Sequence, residues 1–458
     1  MSDWKEYSLG DISRNISRRF DFNAYPNVVF INTGDVLNNQ FLHCDISNVK
    51  DLPGQAKKAI KKGDILYSEI RPGNGRYLFV DKDLDNYVVS TKFMVIEPNI
   101  NVVLPEFLFL LLISNETTEY FKMIAESRSG TFPQITFDSV SSLSLNIPDK
   151  ETQQKILDII TPLDDKIELN TQINQTLEQI AQALFKSWFV DFDPVHAKVQ
   201  ALSDGLNLEQ AELAAIQAIS GKTPEELTAL SQTQPDRYAE LAETAKAFPC
   251  EMVEVDGVEV PKGWKQTTLS EICEMQNGYA FKSSEWTDTG IPVIKIGSIQ
   301  SKILTVEGNG FVSEDNLSLR SNFVLNGGDI VIGLTGAYVG KVGRMPANKK
   351  AMLNQRVAKF LAKQMNESET FYSFIYMNMI QEDFKNFVDF TAQGSAQPNI
   401  STRDILKYPL LLANTEVHLV FEKLLKKTLD KSIFNSYQNE ILSNSRDLLL
   451  PRLLNGKL

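Results

Sequence analysis

The chain has 458 residues, of which 43% are apolar and 23% charged, and a net charge of −12. This composition is that of an ordinary globular protein, and it favours neither the disordered nor the fibrous class. Three cysteines without a CxxC pair favour a reduced protein. The N-terminus has no basic-then-apolar signal pattern, and no window approaches the roughly eighteen apolar residues of a membrane span. We therefore expect a cytoplasmic protein without a membrane partner.

The negative charge is concentrated in one segment. Residues 201–260 contain twelve acidic and three basic residues, a net of −9, so the rest of the chain carries only −3. Because that remainder is near neutral, basic faces can form locally, and the bulk charge does not exclude a DNA partner.

The region up to Pro148 is predicted to be β-rich, with helices packed on its sheet. Short apolar runs at 28–31, 64–67 and 87–89 are separated by Gly, Asn, Asp and Pro, which is typical of strands and turns. Residues 105–113 and 116–123 are predicted to be the helices.

A long helical run from Glu151 to about Asp193 follows, and its apolar residues recur in sevens. This spacing predicts a coiled-coil seam, in which the polar member Asn170 fixes register or else lies at a solvated edge. Pro162 is predicted to kink this helix or to open a second segment. The predicted seam consists of Ile156, Leu163, Asn170, Leu177 and Leu184, with Ile159, Ile173 and Ile180 three residues after their respective members.

The acidic segment is predicted to be a helical insert or linker. It contains an Ala-rich helix at 208–219, and Thr223 and Pro224 offer an N-cap and a first-turn proline for another. A second β-rich region then runs from Pro261 to about Ala413. The final helical run, from Glu416, is predicted to break near Pro451.

Internal repetition organises the whole sequence. Trp4, Lys5, Leu9 and Ile12 recur 260 residues later, and the triplet from Gly63 recurs 265 residues later. The offset of 265 also relates pairs that include Pro133 and Pro398, Ile135 and Ile400, Glu151 and Glu416, Asn170 and Asn435, Asn174 and Asn439, and Leu184 and Leu449. We infer two copies of one unit, each a β-rich domain followed by a long helix. The predicted parts are 1–150, 151–194, 195–260, 261–414 and 415–458.

Catalytic motifs are not found. The glycine-rich stretch 333–342 lacks the Ser or Thr and the glycine spacing of a phosphate loop, so a turn between strands is the better interpretation. The three histidines are far apart in sequence, and no spacing matches a zinc site. The residue types favour a binding protein over an enzyme.

Each β-rich region carries loops rich in side chains that bind phosphates and base edges. Arginine can bind guanine, glutamine and asparagine can bind adenine, and glycines permit close backbone approach. Ordinary solvated loops have a similar composition, so that alternative stays open. The candidate DNA-binding residues are Arg71, Asn74, Arg76, Lys92, Arg128, Thr131 and Gln134 in the first copy, and Thr335, Tyr338, Lys341, Arg344, Arg356, Gln393, Ser395 and Gln397 in the second.

Two stretches carry a family resemblance. The run from Leu163 to Asn170 leading to 183–195, Ala-Leu-Phe-Lys-Ser-Trp-Phe-Val-Asp-Phe-Asp-Pro-Val, resembles the central conserved region of the specificity (HsdS) subunits of type I restriction-modification systems. The ending 449–458 is similar to their C-terminal conserved region. The enlarged acidic segment and Pro162 depart from the family pattern.

The resemblance implies an α+β fold with two target-recognition domains, related by approximate two-fold symmetry, and two long helices packed as an antiparallel coiled coil. Each domain would bind one half of a split double-stranded DNA site, and helix length would set the spacer. Adenine methylation with S-adenosylmethionine would belong to two modification subunits. ATP- and Mg-dependent translocation and cleavage would belong to restriction subunits, leaving no cofactor or metal in this chain.

Two further alternatives come from other classes: a self-contained DNA modification or cleavage enzyme with duplicated domains, and a coiled-coil adaptor without DNA contact. The resemblance also makes Phe185, Trp188, Phe189 and Phe192 candidate contacts for a modification subunit. Burial against the second helix is the alternative for these rings.

Overall fold

The computed structural model describes residues 4–127, 133–300, 302–392 and 398–456. The chain divides into two compact units, Met1–Lys166 with Leu442–Leu458, and Ile167–Ile441. No helix in these described ranges is long and apolar enough to cross a bilayer.

The first unit contains two four-stranded sheets and two strand pairs. The sheets have the orders β6-β3-β10-β7 and β2-β11-β8-β9, and β1 pairs with β12. The pairing of β3 with β10 is parallel, whereas β8 is antiparallel to β9 and β11. The strands are β1 (Lys5–Ser8), β2 (Ser13–Asn15), β3 (Asn27–Ile31), β4 (Val36–Leu37), β5 (Gln40–Phe41), β6 (Ile46–Asn48), β7 (Ala56–Ala59), β8 (Ile65–Ser68), β9 (Tyr77–Phe79), β10 (Tyr87–Ser90), β11 (Phe93–Pro98) and β12 (Ser144–Ile147).

Helices cover one of these sheets and form the main core of the first unit. They are α1 (Leu9–Ile12), α2 (Pro105–Ile113), α3 (Asn115–Glu126), α4 (Phe137–Val140) and α5 (Lys150–Phe189), of which α5 runs on into the second unit. Pro105 opens α2 at a position where its missing N–H costs nothing. Six consecutive residues of α2 are buried, since the helix packs between the sheet and α5.

The second unit repeats the strand topology of the first. Its sheet β16-β24-β21-β22 matches β2-β11-β8-β9, and its parallel pair β18 with β23 matches β3 with β10. The strands are β13 (Met252–Val255), β14 (Val258–Pro261), β15 (Lys265–Thr268), β16 (Cys273–Asn277), β17 (Trp286–Thr287), β18 (Ile291–Ile294), β19 (Phe311–Val312), β20 (Val324–Asn326), β21 (Ile330–Gly333), β22 (Val342–Arg344), β23 (Lys350–Leu353), β24 (Val357–Ala362) and β25 (Pro409–Leu412).

The acidic segment contains three complete helices, which share a small apolar core. Thr223 caps the second of these helices with the reciprocal bonds of a capping box, as its sequence predicts. The helices of the second unit are α6 (Asp193–Ser203), α7 (Leu208–Ser220), α8 (Pro224–Thr233), α9 (Pro235–Ala247), α10 (Asn316–Leu319), α11 (Tyr372–Met379), α12 (Glu382–Thr391), α13 (Thr402–Ile405) and α14 (Thr415–Leu454), of which α14 ends in the first unit.

The two long helices differ from expectation at the predicted break near Pro451, at the alternative of a second segment from Pro162, and in part of their seam. Both α5 and α14 continue through a proline, Pro162 and Pro451 respectively, so neither breaks there. Ile159 and Ile180, predicted to face the seam, are 43% and 53% exposed. The inward positions lie one residue later and comprise Ile160, Ile167, Asn174, Ala181 and Trp188, together with the predicted series from Leu163 to Leu184.

Within the second unit, α5 and α14 run antiparallel and exchange asparagine hydrogen bonds. Asn170 Nδ2 donates to Asn439 Oδ1 at 2.8 Å, and Asn435 Nδ2 donates to Asn174 Oδ1 at 2.9 Å. The two bonds are equivalent under the repeat, because Asn435 corresponds to Asn170 and Asn439 corresponds to Asn174 at the offset of 265 residues. Asn170 and Asn435 are each 1% exposed, so the alternative of a solvated edge is excluded for both. A buried polar pair of this kind disfavours shifted registers.

Alanine replacement of these four asparagines should show that the two hydrogen-bonded pairs stabilise the chain by similar coupling energies. We expect the Asn174–Asn435 pair and the Asn170–Asn439 pair to give coupling energies of similar size, about 1 kcal/mol each, because each pair shares one direct amide bond. Double-mutant cycles from urea denaturation of the full chain measure both, and the exposed Gln175→Ala is the control. Coupling in one pair only would contradict the equivalence.

Candidate nucleic-acid interface

In the first unit a tight turn follows β8 and is held by two later segments. The Arg71 backbone N–H donates to the Pro133 carbonyl at 3.0 Å, and Ile135 N–H donates to the Glu69 carbonyl at 2.8 Å. Glu69 N–H in turn donates to the carbonyl of Lys92, in the loop before β11. A short 3₁₀ helix at Pro72–Asn74 then reverses the chain toward β9.

The second unit builds the same turn after β21. Gly336 N–H donates to the Pro398 carbonyl at 2.8 Å, and Ile400 N–H donates to the Leu334 carbonyl at 3.0 Å. Leu334 N–H donates to the carbonyl of Arg356, in the loop before β24. The repeat therefore preserves a backbone scaffold as well as a fold, and in both units it brings together three loops that are distant in sequence.

The first position of the turn has a left-handed backbone in both units but carries a different residue in each. Arg71 has a left-handed backbone with φ +48°, and its counterpart Gly336 has φ +65°. Glycine adopts this conformation freely, whereas another residue pays roughly 1 kcal/mol or more. A long cationic side chain at a strained turn supports a functional role for Arg71.

A cleft of about 390 Å³ opens at the first turn. Its walls include the predicted residues Arg71, Asn74, Arg76 and Gln134. Arg76 is half-buried, and its Nη1 donates to the carbonyls of Gly34 and Val36 at 2.9 and 2.7 Å, so it braces the neighbouring loop. Thr33, Gly34, Ser68 and Ile70 complete the lining. Sequence reasoning missed these four. Gly34 reaches this edge through a contact with Arg76, which is 42 residues away in sequence, and Ser68 and Ile70 immediately precede the predicted Arg71.

The other predicted residues have different environments. Lys92, Lys341 and Arg356 are exposed, and the Lys341 ammonium lies 4.6 Å from the ring centroid of Tyr338. Thr335 is half-buried and forms an isolated antiparallel β-bridge with Asn399. Ile70 forms the corresponding β-bridge with Gln134 in the first unit. Arg128, Thr131, Gln393, Ser395 and Gln397 lie outside the described residues.

Arg344 is a correction to the predicted DNA-binding set. It is 3% exposed, and its guanidinium donates to the Leu429 carbonyl at 2.9 Å and to the Ser432 hydroxyl at 2.6 Å. A side chain buried against α14 cannot contact a DNA groove.

The aromatic cluster at the end of α5 is a second correction. Phe185, Trp188 and Phe189 are 4%, 0% and 8% exposed, and they pack in the core of the second unit. Phe192 is half-buried, with its ring 5.5 Å from that of Trp264. These rings form core rather than a free docking surface, in agreement with the alternative of burial against the second helix.

The described ranges contain no group of three or more His, Cys, Asp or Glu side chains that could hold a metal ion. The profile of a protein family described as "Type I restriction modification DNA specificity domain" matches residues 1–179 and 261–440, which are the two copies of the repeat. The chain belongs to this family of type I restriction-modification specificity subunits. As a specificity subunit it is a DNA-recognition component and not a catalytic one.

Similar proteins are specificity subunits as well. The chain is 65% identical to the type I restriction enzyme HindI specificity subunit of Haemophilus influenzae, over 100% of both chains. It is 23% identical to the MjaIX specificity subunit of Methanocaldococcus jannaschii, over 78% of this chain and 69% of that one. The crystal structure of an S subunit from M. genitalium shares the fold, with a TM-score of 0.54 and 15% identity over 99% and 96% of the two chains.

Proposed function

We propose that this specificity subunit recognises a bipartite double-stranded DNA target, with one half-site bound at each of the two repeated turns. The observation that carries the proposal is the common backbone scaffold, which presents a different set of side chains in each unit. Side-chain donors and acceptors distinguish base edges. Two turns with the same backbone but different side chains can therefore bind two half-sites of different sequence.

The first turn offers both kinds of contact that a half-site needs. Arg71 and Asn74 are exposed at the rim of the cleft and Gln134 is half-exposed, so an arginine fork and two amides face one opening. Amides bind adenine edges in pairs of hydrogen bonds, and arginine binds guanine or phosphate. In the second turn Lys341 and Arg356 supply the cations.

Catalysis then belongs to partner subunits in this proposal. Two modification subunits methylate adenine with S-adenosylmethionine, and restriction subunits use ATP and Mg for translocation and cleavage. The absence of catalytic motifs in the sequence and the relationship to a type I restriction enzyme specificity subunit support this division. Binding of S-adenosylmethionine by the isolated chain would favour the alternative of a self-contained enzyme.

Replacing Arg71 by glycine should degrade recognition of one half-site. The second copy already has glycine at this position with the same left-handed backbone, so the turn is expected to remain intact. Loss of one arginine contact weakens binding by about 1–3 kcal/mol, or roughly 5- to 150-fold. Methylome sequencing of cells that express the variant with its modification subunits measures the change as a relaxed half-site.

Lys82→Ala is the matched control in the same unit. Lys82 is exposed in the loop after β9, at the end of the β8–β9 hairpin that lies away from the turn. We expect an unchanged methylome for this variant. An unchanged methylome for Arg71→Gly as well would refute the assignment of the first turn, and relaxation of both half-sites would refute their independence.

A further inference from the structure

Arg344, at the end of β22, is a buried cation without an acidic partner. Its guanidinium donates to Leu429 and Ser432 and lies 4.5 Å from the ring centroid of Tyr376. Among the described residues it forms no ion pair, and its Nε–H has no hydrogen-bond partner. Carbonyls and an aromatic face reduce the cost of burying this charge but do not neutralise it, and an unpaired buried charge costs several kcal/mol.

A cavity of about 80 Å³ lies against this guanidinium, between β22, α5, α11 and α14. A single water needs roughly 10–15 Å³ of such space, so the cavity has room for several waters or for one small ion. It is too small for a nucleotide or a peptide segment. The polar side chains in its wall include Asn174, Thr428, Ser432 and Ser436. Their amide and hydroxyl hydrogens are donated to acceptors on α14, so the Arg344 guanidinium is the group left to bind an anion.

The charges around the cavity sum to one excess positive charge. Lys302 and Glu178 also line it, and they pair with each other, so their charges cancel. Arg344 is left uncompensated. A water molecule in the cavity would leave the charge of Arg344 uncompensated, whereas an anion would neutralise it.

We infer that this cavity is the binding site of one small inorganic anion, of the size of a halide or a phosphate, held by Arg344. The ion would sit where β22 packs on α14, and it would stabilise that packing by mass action because the unfolded chain has no such site. The inference is independent of DNA recognition, since no residue of the cavity wall belongs to the turn at Gly336.

Anomalous diffraction and thermal unfolding of the full chain test the site together. Crystals grown in bromide should show an anomalous peak in contact with the Arg344 guanidinium. At constant ionic strength the Tm should be higher in chloride, bromide or phosphate than in gluconate, which is too large to enter. A halide-only or phosphate-only shift identifies the ion class, and Arg344→Met should remove the difference between salts.

A second variant keeps the test decisive if Arg344→Met does not fold. Glu178→Gln removes the negative charge at the rim, so the half-saturating bromide concentration should fall about fivefold, the equivalent of one weak ion pair. Glu168→Gln, an exposed change on the same helix, should leave it unchanged. No bromide peak at Arg344, together with equal Tm values in halide, phosphate and gluconate, would show that the cavity holds only water and overturn the inference.

Discussion

Replacing Trp188 by alanine is expected to lower the free energy of unfolding by about 3–5 kcal/mol, since a fully buried indole leaves a cavity as well as losing its transfer energy. Trp188 is 0% exposed, and its ring lies 4.9 Å from that of Phe248 and 5.8 Å from that of Phe421. It thereby joins α5 to α14 and to the end of α9 in the acidic segment. Urea denaturation of the full chain, followed by circular dichroism, measures the loss.

This variant separates core packing from partner docking. Val190 lies two residues further along and is 54% exposed, so Val190→Ala should change the free energy of unfolding by no more than about 0.5 kcal/mol. If Trp188→Ala left the stability of the chain unchanged but abolished capture of the modification subunits, Trp188 would be a docking residue and its assignment to the core would be wrong.

The architecture could be predicted from sequence because the repeat carries long-range information. The offset of 265 aligns strands, helices and the seam asparagines of the two copies without any knowledge of their contacts. Local chemistry fixed several element ends, among them Pro105 at the start of α2 and Thr223 before α8. The antiparallel packing came from the family resemblance, and the asparagine bonds within the second unit agree with it.

Side-chain direction could not be predicted in the same way. Ile159 and Ile160 are adjacent and equally apolar, so a count in sevens cannot decide which one is buried. The burial of the Arg344 side chain depends on α14, because its acceptor, the Leu429 carbonyl, is 85 residues away in sequence. An arginine after a short strand has the same local sequence whether it points outward or inward. Tertiary contacts decide such cases, and local patterns do not contain them.

Replacing Glu422 by glutamine is expected to remove a large pH dependence of stability. Glu422 is 1% exposed, and its Oε2 accepts the backbone N–H of Ser373 at 2.8 Å. Burial raises the pKa of this carboxyl from 4.5 to about 7. Because the folded-state pKa is the higher one, the stabilisation is complete below about pH 4.5 and is lost as the pH rises through 7. This shift corresponds to about 3 kcal/mol.

His418, one helical turn earlier, acts in the opposite direction. Burial lowers the pKa of its imidazole from 6.5 to about 3, so its contribution is complete above pH 6.5 and is lost as the pH falls through 3. Between about pH 4.5 and 6.5 the two slopes cancel in the wild-type chain. They no longer cancel in Glu422→Gln, whose stability should rise with pH across that interval.

The difference in unfolding free energy between Glu422→Gln and the wild type isolates the carboxyl from every other titrating group. We expect it to shift by about 3 kcal/mol in favour of the variant between pH 4 and pH 8. Glu416→Gln, which removes an exposed carboxyl from the first turn of the same helix, is the control. The first unit has the buried Leu157 at the position equivalent to Glu422, so the effect should be confined to the second unit. A difference for Glu422→Gln that stays constant with pH would mean that this carboxyl titrates normally and is hydrated in the folded chain.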